Sequence, residues 1–262
     1  MTRRLLASVF AFALWLPAHA DVTMKSSGTG EGLGMSGTMA STTYIKGLKM
    51  RVDGTVGKRA TSSIFDVENQ KMYVFDHKKK KVEAWDMAAF SQEIGSAVSV
   101  GDVKSSMKPN GQTKTVSGQN TEGYDMEIIV PATLGGPGGM PVTITMTGTV
   151  WIAKGAPGTP DYAAFYQGAA DKGWIFTDPR AAKGAPGQAK AMAQMYAEFA
   201  KLGGVPYESQ MNIKLGGDGP MAGLMARMGG VTMTSTTESV ETAPLADDLF
   251  QPPPDYEVNE QK

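Results

Sequence analysis

Acid–base catalysis near neutral pH needs a group that titrates there, and histidine is the usual one. The chain has two, His19 and His77. His19 falls in an N-terminal export signal, which leaves His77 beside Asp76 at the head of the run Lys78-Lys79-Lys80-Lys81. A histidine among lysines is expected to be solvated and idle. Ser105-Ser106-Met107-Lys108 fits S-x-x-K, but the companion motifs of that chemistry are missing and no G-x-S-x-G elbow occurs. Gly32-Leu33-Gly34-Met35-Ser36-Gly37 fits G-x-G-x-x-G. The run that follows, Thr38 to Ile45, is strand-like, so no helix N-terminus waits for a pyrophosphate. A carboxylate pair assembled only by folding stays open, and with it a hydrolase. The expectation from these residues is a protein that is not an enzyme.

Metal and ligand chemistry turn on methionine. There are 18 methionines and no cysteine. One histidine outside the leader and no thiol exclude an ordinary zinc site. Thioethers bind cuprous copper, and Met192/Met195 and Met221/Met225/Met228 have face-sharing spacing. They fall on the apolar stripes of their helices, however, where methionine fills space. No metal or cofactor is expected. Soft, adaptable methionine also suits a cavity for variable apolar ligands. The candidate ligand-binding residues are therefore Met50, Ile144 and Met146, Met195 and Phe199, Met211 and Ile213, Leu224 and Met225, and Met233.

Strands must position most of these. Val142, Ile144, Met146, Val150 and Ile152 alternate with Thr143, Thr145, Thr147 and Thr149, which predicts a long strand with one buried and one wet face. The same period runs through Leu48, Met50 and Val52, through Tyr124 to Val130, through Met211, Ile213 and Leu215, and from Val231 to about Val240. Residues 59–67, 71–76 and 81–87 predict three more strands. The lysines are then the tip of a hairpin, where charge stays hydrated and discourages aggregation. Its flanks carry Tyr73, Phe75 and Trp85.

Helices are few and late. Over 186–202, Met192, Met195, Tyr196, Phe199 and Leu202 form a stripe opposite Lys190, Gln194, Glu198 and Lys201, and Gly203-Gly204 ends it. A second helix is expected from Thr159 as N-cap, with Pro160 in first position, to about Gly173. A third, at 220–228, places Met221, Leu224, Met225 and Met228 on one face. Ala-Lys-Gly-Ala-Pro-Gly occurs at 153–158 and 182–187, each copy leading into a helix.

Residues 1–20 predict a cleaved leader: Arg3-Arg4, the apolar run Leu5 to Leu16, Pro17, then Ala18-His19-Ala20 before Asp21. Its removal takes two of the 25 basic residues and none of the 26 acidic ones, leaving 242 residues of the 262 and a net charge of −3. That balance argues against nucleic acid. Without cysteine, an exported chain relies on its core instead of disulfides, and it has no thiol to carry a lipid anchor. Residues 21–262 are expected to form a single domain with a helical segment at about 159–228. The expected location is the periplasm, with no transmembrane anchor after cleavage.

The runs Tyr44 to Gly54 and Ser63 to Trp85, with the ending Phe250-Gln-Pro-Pro253-Pro-Asp-Tyr256, resemble periplasmic domains that share the fold of the LolA/LolB lipoprotein carriers. The match covers the first third and the last dozen residues of the mature chain, and the middle departs from it. The resemblance implies a β-rich α+β fold, a half-open antiparallel barrel with a few amphipathic helices packed on its concave face, and a concavity that holds acyl chains. The expected function is that of a non-enzymatic binder or carrier of a hydrophobic ligand, a lipid or a lipoprotein acyl group, with an envelope protein as a further partner. The rival is an envelope interaction module with a packed interior. A cavity of about 300 Å3 or more separates the two.

Overall fold

The computed structural model describes residues 21–32, 35–97, 103–134, 140–184, 186–217 and 229–261. The expected leader, the helix expected at 220–228 and the candidates Leu224 and Met225 lie outside the described residues. Six strands come first: β1 (Val22–Gly32), β2 (Met35–Lys46), β3 (Lys49–Val56), β4 (Arg59–Asp66), β5 (Lys71–Asp76) and β6 (Lys81–Asp86). Helix α1 (Met87–Ala97) leads to β7 (Lys104–Val116), β8 (Gln119–Leu134) and β9 (Met140–Ala153). Helices α2 (Thr159–Asp171), α3 (Pro179–Gly184) and α4 (Pro186–Leu202) precede β10 (Val205–Gly216) and β11 (Val231–Thr242). A short 3-10 turn, Asp247–Phe250, and β12 (Glu257–Gln261) complete the chain.

All twelve strands form one sheet in the order β12-β6-β5-β4-β3-β2-β1-β11-β10-β9-β8-β7. Every neighbouring pair is antiparallel except β12 with β6, which is parallel. The expected half-open barrel is corrected here to an open sheet, because β12 and β7 stand at opposite edges and do not pair. Two meanders, β1 to β6 and β7 to β11, are joined through the β1–β11 ladder. Of the glycine-rich run at 32–37, Gly32 ends β1 and Met35 to Gly37 open β2, a strand and not a helix, while residues 33–34 lie outside the described residues.

The sheet nevertheless curls. Glycine permits this at two ladder positions: a Cβ at Gly28 or Gly148 would run into the carbonyl oxygen of Thr234 or Gln210 on the next strand. Tight turns use aspartate. Asp66 Oδ1 accepts the Asn69 N–H at 3.0 Å, and Asp76 Oδ1 accepts those of Lys78 and Lys79 at 3.1 Å. Each turn closes on a residue in the left-handed region, Gln70 (φ 53°) and Lys80 (φ 51°).

Helices α2 and α4 pack on each other and on one sheet face. The N-cap of α2 is Gly158, with a left-handed φ of 71°, and Thr159 is already inside the helix. The Thr159 hydroxyl donates to Ala156 O at 2.8 Å and is thereby taken from the cap position. Helices α1 and α3 were not expected. Aspartate starts both: Asp86 Oδ1 accepts the N–H groups of Ala88 and Ala89, and Asp178 Oδ1 accepts that of Arg180.

Candidate site: a roofed cavity on the sheet

Between the helices and the sheet lies a cavity of about 380 Å3, within the range of small-molecule pockets. Seven neighbouring strands, from β4 through β1 to β9, contribute to its lining. Laid flat at about 4.8 Å spacing they would spread over roughly 29 Å. Sharing one cavity requires the curl that Gly28 and Gly148 allow.

The roof is aromatic. Tyr162 and Tyr166 stand one turn apart on α2, with ring centroids 4.6 Å apart. Tyr196 of α4 stacks on Tyr166 at 5.3 Å with planes 12° apart, and Phe176 meets Tyr196 at 4.7 Å. Met195 and Phe199 of α4 complete this side. Contacts of this kind add about 0.5–1.5 kcal/mol per pair beyond area burial. The Tyr166 hydroxyl reaches down to Met50 Sδ on β3 at 3.8 Å and ties roof to floor.

A band of hydroxyls crosses the floor among Met24, Met50, Val52, Phe65, Val150 and Met211. Thr61 pairs across the sheet with Gly54, Gly54 with Ser41, Ser41 with Ser26, and Ser26 with Thr237. Thr43 and Ser63 form the next row on either side of Val52. Ser209 and Ser235 extend the band and share a hydrogen bond of 2.7 Å. Thr237 donates to Pro206 O at 2.9 Å and lies 3.3 Å from the Ser26 hydroxyl. Thr43, Ser209 and Thr237 are buried.

Among the described residues no lysine, arginine, histidine or carboxylate lines this cavity. Its ionisable groups are phenols, and burial pushes those of Tyr162, Tyr166 and Tyr196 above their ordinary value. At neutral pH the walls are uncharged. They can hold an uncharged ligand by apolar contact and neutral hydrogen bonds, whereas a lone carboxylate would be costly to bury there.

Four sequence candidates line the cavity: Met50, Met195, Phe199 and Met211. Ile144 and Met146 are buried beside it in a cluster with Ile128, Val130 and Ile152, against which Ile213 packs half-buried. Met233 is half-buried on β11, opposite Met211. Sequence reasoning missed Tyr162, Tyr166, Phe176 and Tyr196, although the spacing of Tyr162 and Tyr166 already put both on one face of an expected helix. It also missed the hydroxyl floor, because Ser and Thr at alternate positions signal a wet face unless a second layer covers them.

Two other places carry chemistry. On the opposite sheet face His77 is half-buried, not solvated as expected. Its Nδ1 lies 3.0 Å from the Tyr256 hydroxyl and its Nε2 2.9 Å from that of Ser62, which donates to Asp53 Oδ1 at 2.6 Å. A serine nucleophile needs histidine to take its proton; here Ser62 gives its proton to a carboxylate and the C-terminal segment covers the site. A recess of about 550 Å3 beside Lys114, Glu122 and Lys154 is polar. Its charges are already paired, Lys114 with Glu208 at 2.6 Å and Lys154 with Glu122 at 3.0 Å. Among the described residues no cluster of His, Cys, Asp or Glu could hold a metal ion, and no helix is long and apolar enough to cross a membrane.

No family model matches the chain, and no curated protein does. Among solved structures, PNGF-II in a C2 crystal form is 12% identical with a TM-score of 0.30, over 92% of this chain and 31% of that one. This chain thus spans less than a third of PNGF-II. A domain from Vibrio parahaemolyticus, assigned provisionally to outer membrane lipoprotein sorting, is 9% identical with a TM-score of 0.31, over 89% of this chain and 90% of that one. Likenesses this distant leave the functional question to the site itself.

Proposed function

We propose that this protein is a non-enzymatic binder or carrier of a hydrophobic ligand, a lipid or a lipoprotein acyl group, that works in the periplasm as a relative of the LolA/LolB-like carriers. The observation that supports this is the cavity of about 380 Å3 between an aromatic roof and the sheet. It exceeds the size that separates a binder from a packed module. Removing apolar ligand surface from water contributes about 25 cal/mol per Å2, enough to drive capture without a charged anchor. An envelope protein that delivers or receives the ligand is the partner such a carrier needs.

Native mass spectrometry of protein purified from its own envelope should show co-purified lipid. The purified chain should also bind the uncharged probe N-phenylnaphthylamine. Met195→Trp, which fills the cavity, should abolish probe binding while the far-ultraviolet circular dichroism stays unchanged. If no lipid co-purifies and no probe binds, the protein is not a carrier, and an envelope interaction module takes its place.

A further inference from the structure

The sheet side of the cavity sets a band of hydroxyls among apolar side chains. Ser41 and Thr43 on β2 and Thr61 and Ser63 on β4 line it, and no other described side chain hydrogen-bonds to their hydroxyls. Within each pair the residues alternate on one strand, roughly 7 Å apart. Thr43 is 6% exposed. A hydroxyl that lines a cavity can hydrogen-bond to a guest that brings an oxygen to it. Among the described residues the opposite wall offers rings and methionine, and nothing charged faces the space.

Building on the carrier function proposed above, we infer that the ligand is an uncharged amphiphile that brings two or more oxygens, ester carbonyls or hydroxyls, into the cavity with its apolar chain. Acylglycerols and alkyl glycosides belong to that class. Free fatty acids do not, because an ionised carboxylate would meet no cation inside. The chain lies against Tyr196 and Phe199, and the oxygens meet the serine and threonine band.

The test is displacement of N-phenylnaphthylamine from the full chain at neutral pH by a monoacylglycerol, an alkyl glucoside and a fatty acid of one chain length. At least one neutral amphiphile should displace the probe at about tenfold lower concentration than the fatty acid. The monoacylglycerol and glucoside arms distinguish ester from sugar oxygens. Thr43→Val with Ser63→Ala should erase that preference, so that the three competitors displace the probe at concentrations within about twofold of one another. Should the double variant not fold, Ser41→Ala alone should still narrow the preference. A fatty acid that competes as well as both neutral amphiphiles, or a preference that survives the variants, overturns the inference while probe binding leaves the carrier function standing. A probe that never binds overturns both.

Discussion

Ser62 sits between a histidine and an aspartate and yet is built as a structural link. Asp53 can only accept, so Ser62 donates to it, and the Ser62 oxygen accepts from His77 Nε2–H. The other ring nitrogen, Nδ1, lies 3.0 Å from the Tyr256 hydroxyl. Arg51 holds Asp53 from the other side at 2.9 Å. Tyr256→Phe should therefore lower stability by about 1 kcal/mol in urea unfolding, and Ser62→Ala, which strands two partners in a buried position, by about 1–3 kcal/mol. Burial decides a second comparison. Ile144 is buried among Ile128, Val130 and Met146, so Ile144→Ala should cost about 2–5 kcal/mol, and the half-buried Thr145 on the other face much less. Equal costs in urea unfolding would show that both faces are packed.

Elements are held to the sheet by polar clamps. Helix α4 is tied to edge strand β7 by Glu198, which accepts from Ser105 at 3.1 Å and from Gln194 at 3.0 Å, with Lys201 at 2.9 Å. Burial acts to raise the Glu198 pKa, but these donors outweigh it and the net shift is downward. Its contribution is thus present above the ordinary value of about 4.3 and lost as pH falls through the lower folded value. Acidification should speed hydrogen exchange over 186–202 more in the wild type than in Glu198→Gln. Strand β12 is clamped by the lysines: Lys71 to Glu260 at 3.1 Å, Lys80 to Asp255 at 2.8 Å and Lys81 to Glu257 at 3.0 Å. Such exposed pairs are individually weak, so they set the seating of the tail more than global stability. Lys80→Ser with Lys81→Ser should speed exchange at 257–261 and leave 142–152 unchanged. Lys78→Ser, at an exposed position, should leave exchange in both segments unchanged.

At the scale of the whole molecule, one sheet carries an aromatic layer on one face and the C-terminal segment on the other. Three phenols in the first layer, Tyr162, Tyr166 and Tyr196, are raised above their ordinary value by burial. The unfolded chain ionises them near pH 10 while the folded chain does not. The stability they lend is complete below about pH 10 and is lost as pH rises toward the folded values. Alkaline unfolding should steepen above about pH 10, and the slope should fall in Tyr166→Phe. Phenolate absorbance from these groups should appear only as the protein unfolds. The open edges are guarded: β7 carries Lys104, Lys108, Lys114 and a ladder irregularity after Pro109, which discourage pairing with another sheet.

Local pattern determined much of this. Alternation over 142–152 placed β9 and its buried parity, because side chains of a strand point to opposite faces whatever lies above them. The stripe from Met192 to Leu202, closed by Gly203 (φ 64°), placed α4 at the bounds it adopts. The lysine run was legible as a hairpin tip because Asp76 and the flanking apolar runs act over a few residues. What lay beyond reach depends on contacts distant in sequence. His77 meets Tyr256 across 179 positions, and the acidic tail that turns Lys80 and Lys81 into a clamp is as far away. Whether the sheet closes is set by β12 and β7 failing to meet, which no strand encodes alone. The inner face of Ser41, Thr43 and Ser63 became a cavity wall, with Thr43 buried, only when α2 and α4 were laid over it, since hydroxyls look solvent-facing until a second layer covers them.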